Sequence, residues 1–173
     1  MSEIQWDLER LDPGELSALR RSAGAGVNRA SMAALRAFYK ACGYCEPWQE
    51  QYWFPAVCMD ALWRNTDGIT VLPMQECMRR LLSMDAGTTE SMQHRMDMLL
   101  DTTWSDDEYL IGKMLNLVKI VKSKTQLKPD FQMLARDFQN WNRPSRSVQR
   151  EWLRTLYNVK TTKSDEEEAE NAH

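Results

Sequence analysis

Two thiols separated by two residues, Cys42 and Cys45, have the spacing that lets both sulfurs converge on a disulfide or on one metal ion. Neither chemistry is completed elsewhere in the chain. A thioredoxin-type centre needs a βαβ context that the surrounding residues lack. A zinc site needs a second pair, whereas Cys58 and Cys77 fall in separate helical stretches. The four cysteines fit reduced thiols, and no disulfide is expected. His94 lies inside a helical pattern beside Arg95, without an HExxH motif or a carboxylate cluster. There is no GxxxxGK[ST] phosphate loop, no GxSxG elbow and no pair of carboxylates distinct from ordinary helix-surface acids. The eleven methionines are scattered, as core filler is. These patterns predict no catalytic residue, no metal, no cofactor and no enzymatic turnover.

What the residue types do support is electrostatics. The net charge of -3 averages three unlike segments. Residues 1–111 carry 10 Lys/Arg against 17 Asp/Glu, residues 112–163 carry 12 against 3, and residues 164–173 carry none against 5. A strongly basic stretch inside an acidic protein predicts a surface that faces a polyanion, because Lys and Arg release condensed counterions when they meet phosphates. Arg146, Arg150 and Arg154 recur every four residues, on one face of a helix whose other face carries Val148, Trp152, Leu153 and Leu156. Like charges at that spacing disfavour a helix by a few tenths of a kcal/mol per pair, so an anion opposite them would account for the row.

The elements that position these residues all read as helices. Asp12-Pro13 supplies an N-cap and a first-turn proline for a helix over 13–22, ended by Gly24 and Gly26. Asn28 can cap a helix over 29–42 with Met32, Leu35, Phe38 and Tyr39 on one face. Trp48, Tyr52, Trp53, Phe54 and Trp63 predict a deeply packed helix with a kink or start near Pro55. Further helices are expected over 73–83, 89–101, 106–123 and 131–141, with 123–128 as a linker, and Pro144 opens the last. The expected fold is all-α, two small packed helical bundles over 1–101 and 102–163, followed by an acidic, disordered tail over 164–173. No basic, apolar leader and no run of 18 apolar residues is present, so the reading is a soluble, cytoplasmic protein that does not meet a membrane.

Several short matches, in order, resemble the CasB family, the small subunit of the type I-E CRISPR Cascade complex. Leu11-Asp12-Pro13-Gly14 leads into Leu19-Arg20-Arg21, and Ala37-Phe38-Tyr39 is followed by Gly43-Tyr44 and Pro47. Met133-Leu134-Ala135-Arg136 followed by Trp141 is the most specific match. Between them, Met78-Arg79-Arg80-Leu81-Leu82 and the stretch from Arg95 to Leu100 are similar to the family's arginine-bearing central helices, and Lys113 matches a basic position there.

The resemblance runs over about 11–159. It implies a two-bundle helical protein with no activity of its own. The partners it implies are the backbone and large subunits of Cascade, a second copy of the chain, guide RNA, and target DNA including the non-target strand. The implied role is antiviral defence through non-specific nucleic-acid binding that stabilises the R-loop, while the guide reads sequence. This chain carries Trp48, Asp101 and Trp104 where relatives are more basic, which directs attention first to Lys113, Lys119, Lys122, Arg143, Arg146, Arg150 and Arg154, and second to Arg20, Arg21, Arg29, Arg36, Arg79 and Arg80. The alternative is a helical adaptor whose basic face docks an acidic protein without touching nucleic acid.

Overall fold

Asp12 starts the first helix by two reciprocal hydrogen bonds: its carboxylate accepts from the Glu15 backbone N–H at 2.8 Å, and the Glu15 carboxylate accepts from the Asp12 backbone N–H at 3.0 Å. In the computed structural model, which describes residues 5–84, 89–104 and 107–157, that helix is α1, Pro13–Arg21. Seven more follow among the described residues: α2 Met32–Cys42, α3 Glu50–Asp60, α4 Met74–Met84, α5 Thr89–Asp101, α6 Asp107–Lys124, α7 Phe131–Gln139 and α8 Ser147–Tyr157. The fold is all-α, as expected. The tail over 164–173 lies outside the described residues.

One departure is a pair of three-residue parallel strands, β1 Thr70–Leu72 and β2 Leu127–Pro129, in register Thr70 to Leu127. The β-branched run Ile69-Thr70-Val71 favours extended backbone, and the 123–128 segment read as linker supplies its partner. The ladder runs from the Thr70 N–H, which donates to the Gln126 carbonyl at 3.0 Å, to the Asp130 N–H, which donates to the Leu72 carbonyl at 2.8 Å. The strands bring the end of the α3 region beside the start of α7.

Two helix starts also shift. Ser31, not Asn28, caps α2, its hydroxyl accepting from the Ala34 N–H at 3.1 Å, while Val27–Arg29 forms a separate 3-10 turn. The buried stripe of α2 is therefore Ala34, Ala37, Phe38 and Ala41, and Met32 and Tyr39 are exposed. Small side chains let α1 and α2 approach closely, and Lys40 pairs with Glu15 at 2.9 Å across them. The last helix begins at Ser147 rather than Pro144, because Arg146 has a left-handed φ of 53° and its N–H closes a turn onto the Arg143 carbonyl at 2.9 Å.

The core is built on tryptophan. Helix α3 runs through Pro55 and buries Trp53 and Phe54 against α7, its most extensive partner. Phe138 on α7 lies 4.8 Å from Trp104, and Trp141 meets Trp152 of α8 edge-on at 5.9 Å. Their indole N–H groups all find acceptors: Trp53 donates to Gln139 at 2.6 Å, Trp104 to Gln51 at 3.2 Å, Trp141 to the Thr102 carbonyl at 2.8 Å and Trp152 to Asp137 at 3.1 Å. Trp63 lies past the end of α3 and packs on Phe131, while Trp48, expected in the core, is exposed. On α8, Leu153 faces outward and Gln149 is buried in its place, donating to the Trp141 carbonyl at 2.7 Å.

Candidate nucleic-acid interface

Helix α6 is buried along most of its circumference, with Leu110, Ile111, Met114 and Val118 in the core. Its remaining stripe, Tyr109, Lys113, Asn116, Ile120 and Lys124, follows the three- and four-residue spacing that keeps side chains on one face. Three hollows lie end to end along that stripe. The first, about 480 Å³, is bounded by Leu81 and Met84 of α4, Met92 and Arg95 of α5, and Ile120 and Lys124 of α6. The second, about 510 Å³, shares Arg95 and Ile120 with it and adds Lys113 and Asn116. The third, about 670 Å³, shares Lys113 and Asn116 and continues to Tyr109, Gly112, Arg29 and the turn at Gly24. The result is one groove spanning roughly 22 Å of helix, at about 1.5 Å per residue from Tyr109 to Lys124.

The groove is basic on its rim and apolar on its floor. Lys113 stands 4.6 Å over the Tyr109 ring, a cation–π contact that leaves the ammonium available to an anion. Arg95, Lys113 and Lys124 have no carboxylate in ion-pair range among the described residues. At the far end Arg29 pairs with Glu108 at 3.1 Å. Arg95, Asn116, Lys124 and Tyr109 thus line the groove, though the charge count did not single them out. The stripe on α6 was readable from its spacing; the arrival of Arg95 from α5 was not.

The other predicted cations fall into three groups. Lys119 and Lys122 share α6 with the groove but lie roughly 120° and 180° around the helix from Lys113 at about 100° per residue, with Lys122 6.0 Å over Trp63. Arg143, Arg150 and Arg154 are exposed beside α8, with Arg154 bound to Glu151 at 2.6 Å. Arg150, Leu153, Arg154 and Tyr157 outline a shallow hollow of about 450 Å³ there. Arg146 precedes the helix instead of continuing the row, and its guanidinium donates to the Leu100 carbonyl at 2.7 Å, with Asp101 at 3.7 Å.

In the N-terminal half, Arg20 donates to the Ala61 carbonyl at 2.6 Å, and burial lowers its pKa first, the nearby Arg64 second. Arg79 is half-buried on Glu76, which Arg80 also approaches at 3.6 Å; these contacts hold the Glu76 carboxyl below its usual range. Arg21 donates to Ser17 at 3.3 Å, and Arg36 is exposed on α2. Within the basic segment, Lys128 serves the fold, its ammonium 2.5 Å from Asp60, which also accepts from the Trp6 indole at 2.7 Å.

Burial pushes the Cys42 and Cys45 thiols up to about 12, with Glu50 and Glu46 adding to the effect at Cys45. Both stay protonated at neutral pH, the opposite of what a nucleophilic or metal-binding thiolate requires. Cys58 and Cys77 are buried thiols on α3 and α4. Among the described residues no cluster of three His, Cys, Asp or Glu is placed to hold a metal ion, and no helix is long and apolar enough to cross a membrane. His94 is exposed on α5.

The profile of the family described as CRISPR-associated protein Cse2 matches residues 15–157. The chain belongs to this family. Cse2, also called CasB, is the family that the ordered short motifs resembled. Two solved structures are similar in fold to this Cse2-family chain. One is M. ruber CasB, with 19% identity, a TM-score of 0.67, and 91% of each chain covered. The other is a chain of a CRISPR RNA-guided surveillance complex, with 17% identity and a TM-score of 0.65, covering 90% of this chain and 88% of that one. No curated protein matches the sequence closely enough to count as a relative.

Proposed function

We propose that this chain is a non-catalytic small subunit of a Cascade-type CRISPR RNA-guided surveillance complex, working in the cytoplasm, and that it holds the sugar-phosphate backbone along the α6 groove to steady the R-loop and its displaced non-target strand. The groove carries the reading: three cations without carboxylate partners among the described residues, a hydrogen-bonding Asn116 and an exposed Tyr109 line one continuous channel. Membership in the Cse2 family and a fold similar to a chain of a surveillance complex support it. With one charge per about 3.4 Å of strand, roughly 22 Å of groove faces about six phosphates. Three cations neutralise only part of these, so the isolated contact is weak and gains from the high local concentration that assembly provides.

The test is R-loop lifetime in the reconstituted complex. Omitting the subunit and replacing Arg95, Lys113 and Lys124 together by Ala should each shorten it about tenfold, whereas Arg146→Ala, Arg150→Ala, Arg154→Ala should have a smaller effect. An assembled groove variant with an unchanged lifetime would overturn the reading.

The mixed basic and apolar patch of Arg150, Leu153, Arg154 and Tyr157 favours a second reading for α8, docking onto an acidic protein partner. Arg150→Glu with Arg154→Glu should then abolish assembly yet leave target binding per assembled complex unchanged.

A further inference from the structure

The groove holds more positive charge than its described surroundings balance, and the same chain carries a matching run of acids. Asp165, Glu166, Glu167, Glu168 and Glu170 place five carboxylates within six positions. The last described residue before them touches α5, the helix that carries Arg95, on a different face from the groove. Tyr157, the last described residue, donates its hydroxyl to Asp97 of α5 at 3.5 Å, and Arg95, which the first two hollows share, stands two positions earlier on α5. Asp165 follows Tyr157 by eight residues, a reach of up to roughly 26–29 Å at about 3.3–3.6 Å per residue. A helix is about 10 Å across, so that reach suffices to pass around α5 and enter the groove. Arg154 is less available to the acids, since Glu151 already holds it.

We infer that the acidic segment 165–170 occupies the α6 groove when nucleic acid is absent, its carboxylates meeting Arg95, Lys113 and Lys124, and that phosphates must displace it. The inference rests on the reading of the groove as a nucleic-acid interface. A short tether gives the segment an effective concentration in the millimolar range, so even a weak electrostatic contact competes measurably with an incoming strand. The device filters ligands: an isolated strand is discouraged, and a strand presented by an assembled complex displaces the acids.

The experiment compares the full chain with a full-length variant, Asp165→Asn, Glu166→Gln, Glu167→Gln, Glu168→Gln, Glu170→Gln. Single-stranded oligonucleotide binding should tighten about fivefold in the variant at low salt and by less than twofold at several hundred millimolar salt, where screening removes the tail's contact. Independently, a zero-length carbodiimide reagent should join the acidic segment to the Lys113 or Lys124 amine within one chain, and added oligonucleotide should suppress the product. Equal affinities of the two chains overturn the inference. So does a gain in affinity without cross-links to Lys113 or Lys124, or cross-links formed only between chains. If the cross-links form while neither chain binds oligonucleotide at low salt, docking of the segment stands and the nucleic-acid reading of the groove falls.

Discussion

Asp137 shows how one half-buried carboxylate sets a pH dependence. Burial pushes its carboxyl up to about 6 from 3.8; the Trp152 indole N–H and Arg136 pull the other way, and Asp130 and Glu151 add to the rise. A carboxyl raised in the folded state binds its proton more tightly there than in the unfolded chain. Its contribution is therefore most favourable below about pH 4, is lost as pH rises through about 6, and stays lost above. Asp137→Asn keeps an acceptor for Trp152 and removes the buried charge, so it should stabilise the fold by about 1–3 kcal/mol at pH 7.5 and by little at pH 4, read from urea unfolding at both values.

Lys128 makes the opposite case. Its removal strands the Asp60 carboxylate in a site where the two side chains are only 14% and 18% exposed. Lys128→Ala should cost about 2–3 kcal/mol, part of it recovered by adding Asp60→Asn. A loss no larger than that of exposed Lys119→Ala would refute this. Both residues counted simply as charges in the sequence, where nothing distinguishes a lysine that serves the core from one that meets solvent.

At the scale of elements, two glycines flank the groove and should respond in opposite directions. Gly24 has a φ of +93°, and a Cβ there would sit 2.8 Å from the Leu115 side chain of α6. Gly24→Ala combines left-handed backbone strain with that clash and should destabilise by about 1–3 kcal/mol. Gly112 lies inside α6, and a Cβ there meets nothing within 4 Å. Gly112→Ala should stabilise by about 0.5–1 kcal/mol, measured by thermal unfolding of both variants side by side. The helices themselves were legible where a cap and a period agreed, as at Asp12-Pro13 and through α4, α5 and α6. They were misplaced where two caps competed, Asn28 against Ser31, or where one residue left helical backbone, Arg146. That last shift dissolves the apparent four-residue arginine row: its first member turns to the α5 C-terminal end, and only Arg150 and Arg154 ride on α8.

For the whole molecule, the aromatic residues of α3, Trp104, α7 and α8 weld the two halves of the chain into one continuous core, and the groove lies on the opposite side of α6 from its buried face. Charge on that face should govern salt dependence. If three phosphate contacts are lost, the log-log slope of single-strand affinity against salt should become shallower by about 2 in the Arg95→Ala, Lys113→Ala, Lys124→Ala variant, at about 0.7 per contact. Lys119→Ala with Lys122→Ala, on other faces of α6, should change the slope by much less. Equal slopes in the two variants would place the contacts elsewhere.

Local rules in the sequence determined the helical class, most element boundaries and the uneven distribution of charge, because caps, apolar periodicity and composition act over a few residues. The ordered short motifs carried the family. The tertiary structure alone decided which cations share a surface. Arg95 and Lys113 lie eighteen positions apart on different helices and meet only because α5 packs beside α6, while Lys119 and Lys122 are near neighbours in sequence that a helix turns away from the groove. The short parallel strands were equally hidden, since each three-residue segment gains its hydrogen bonds only from a partner more than fifty residues distant.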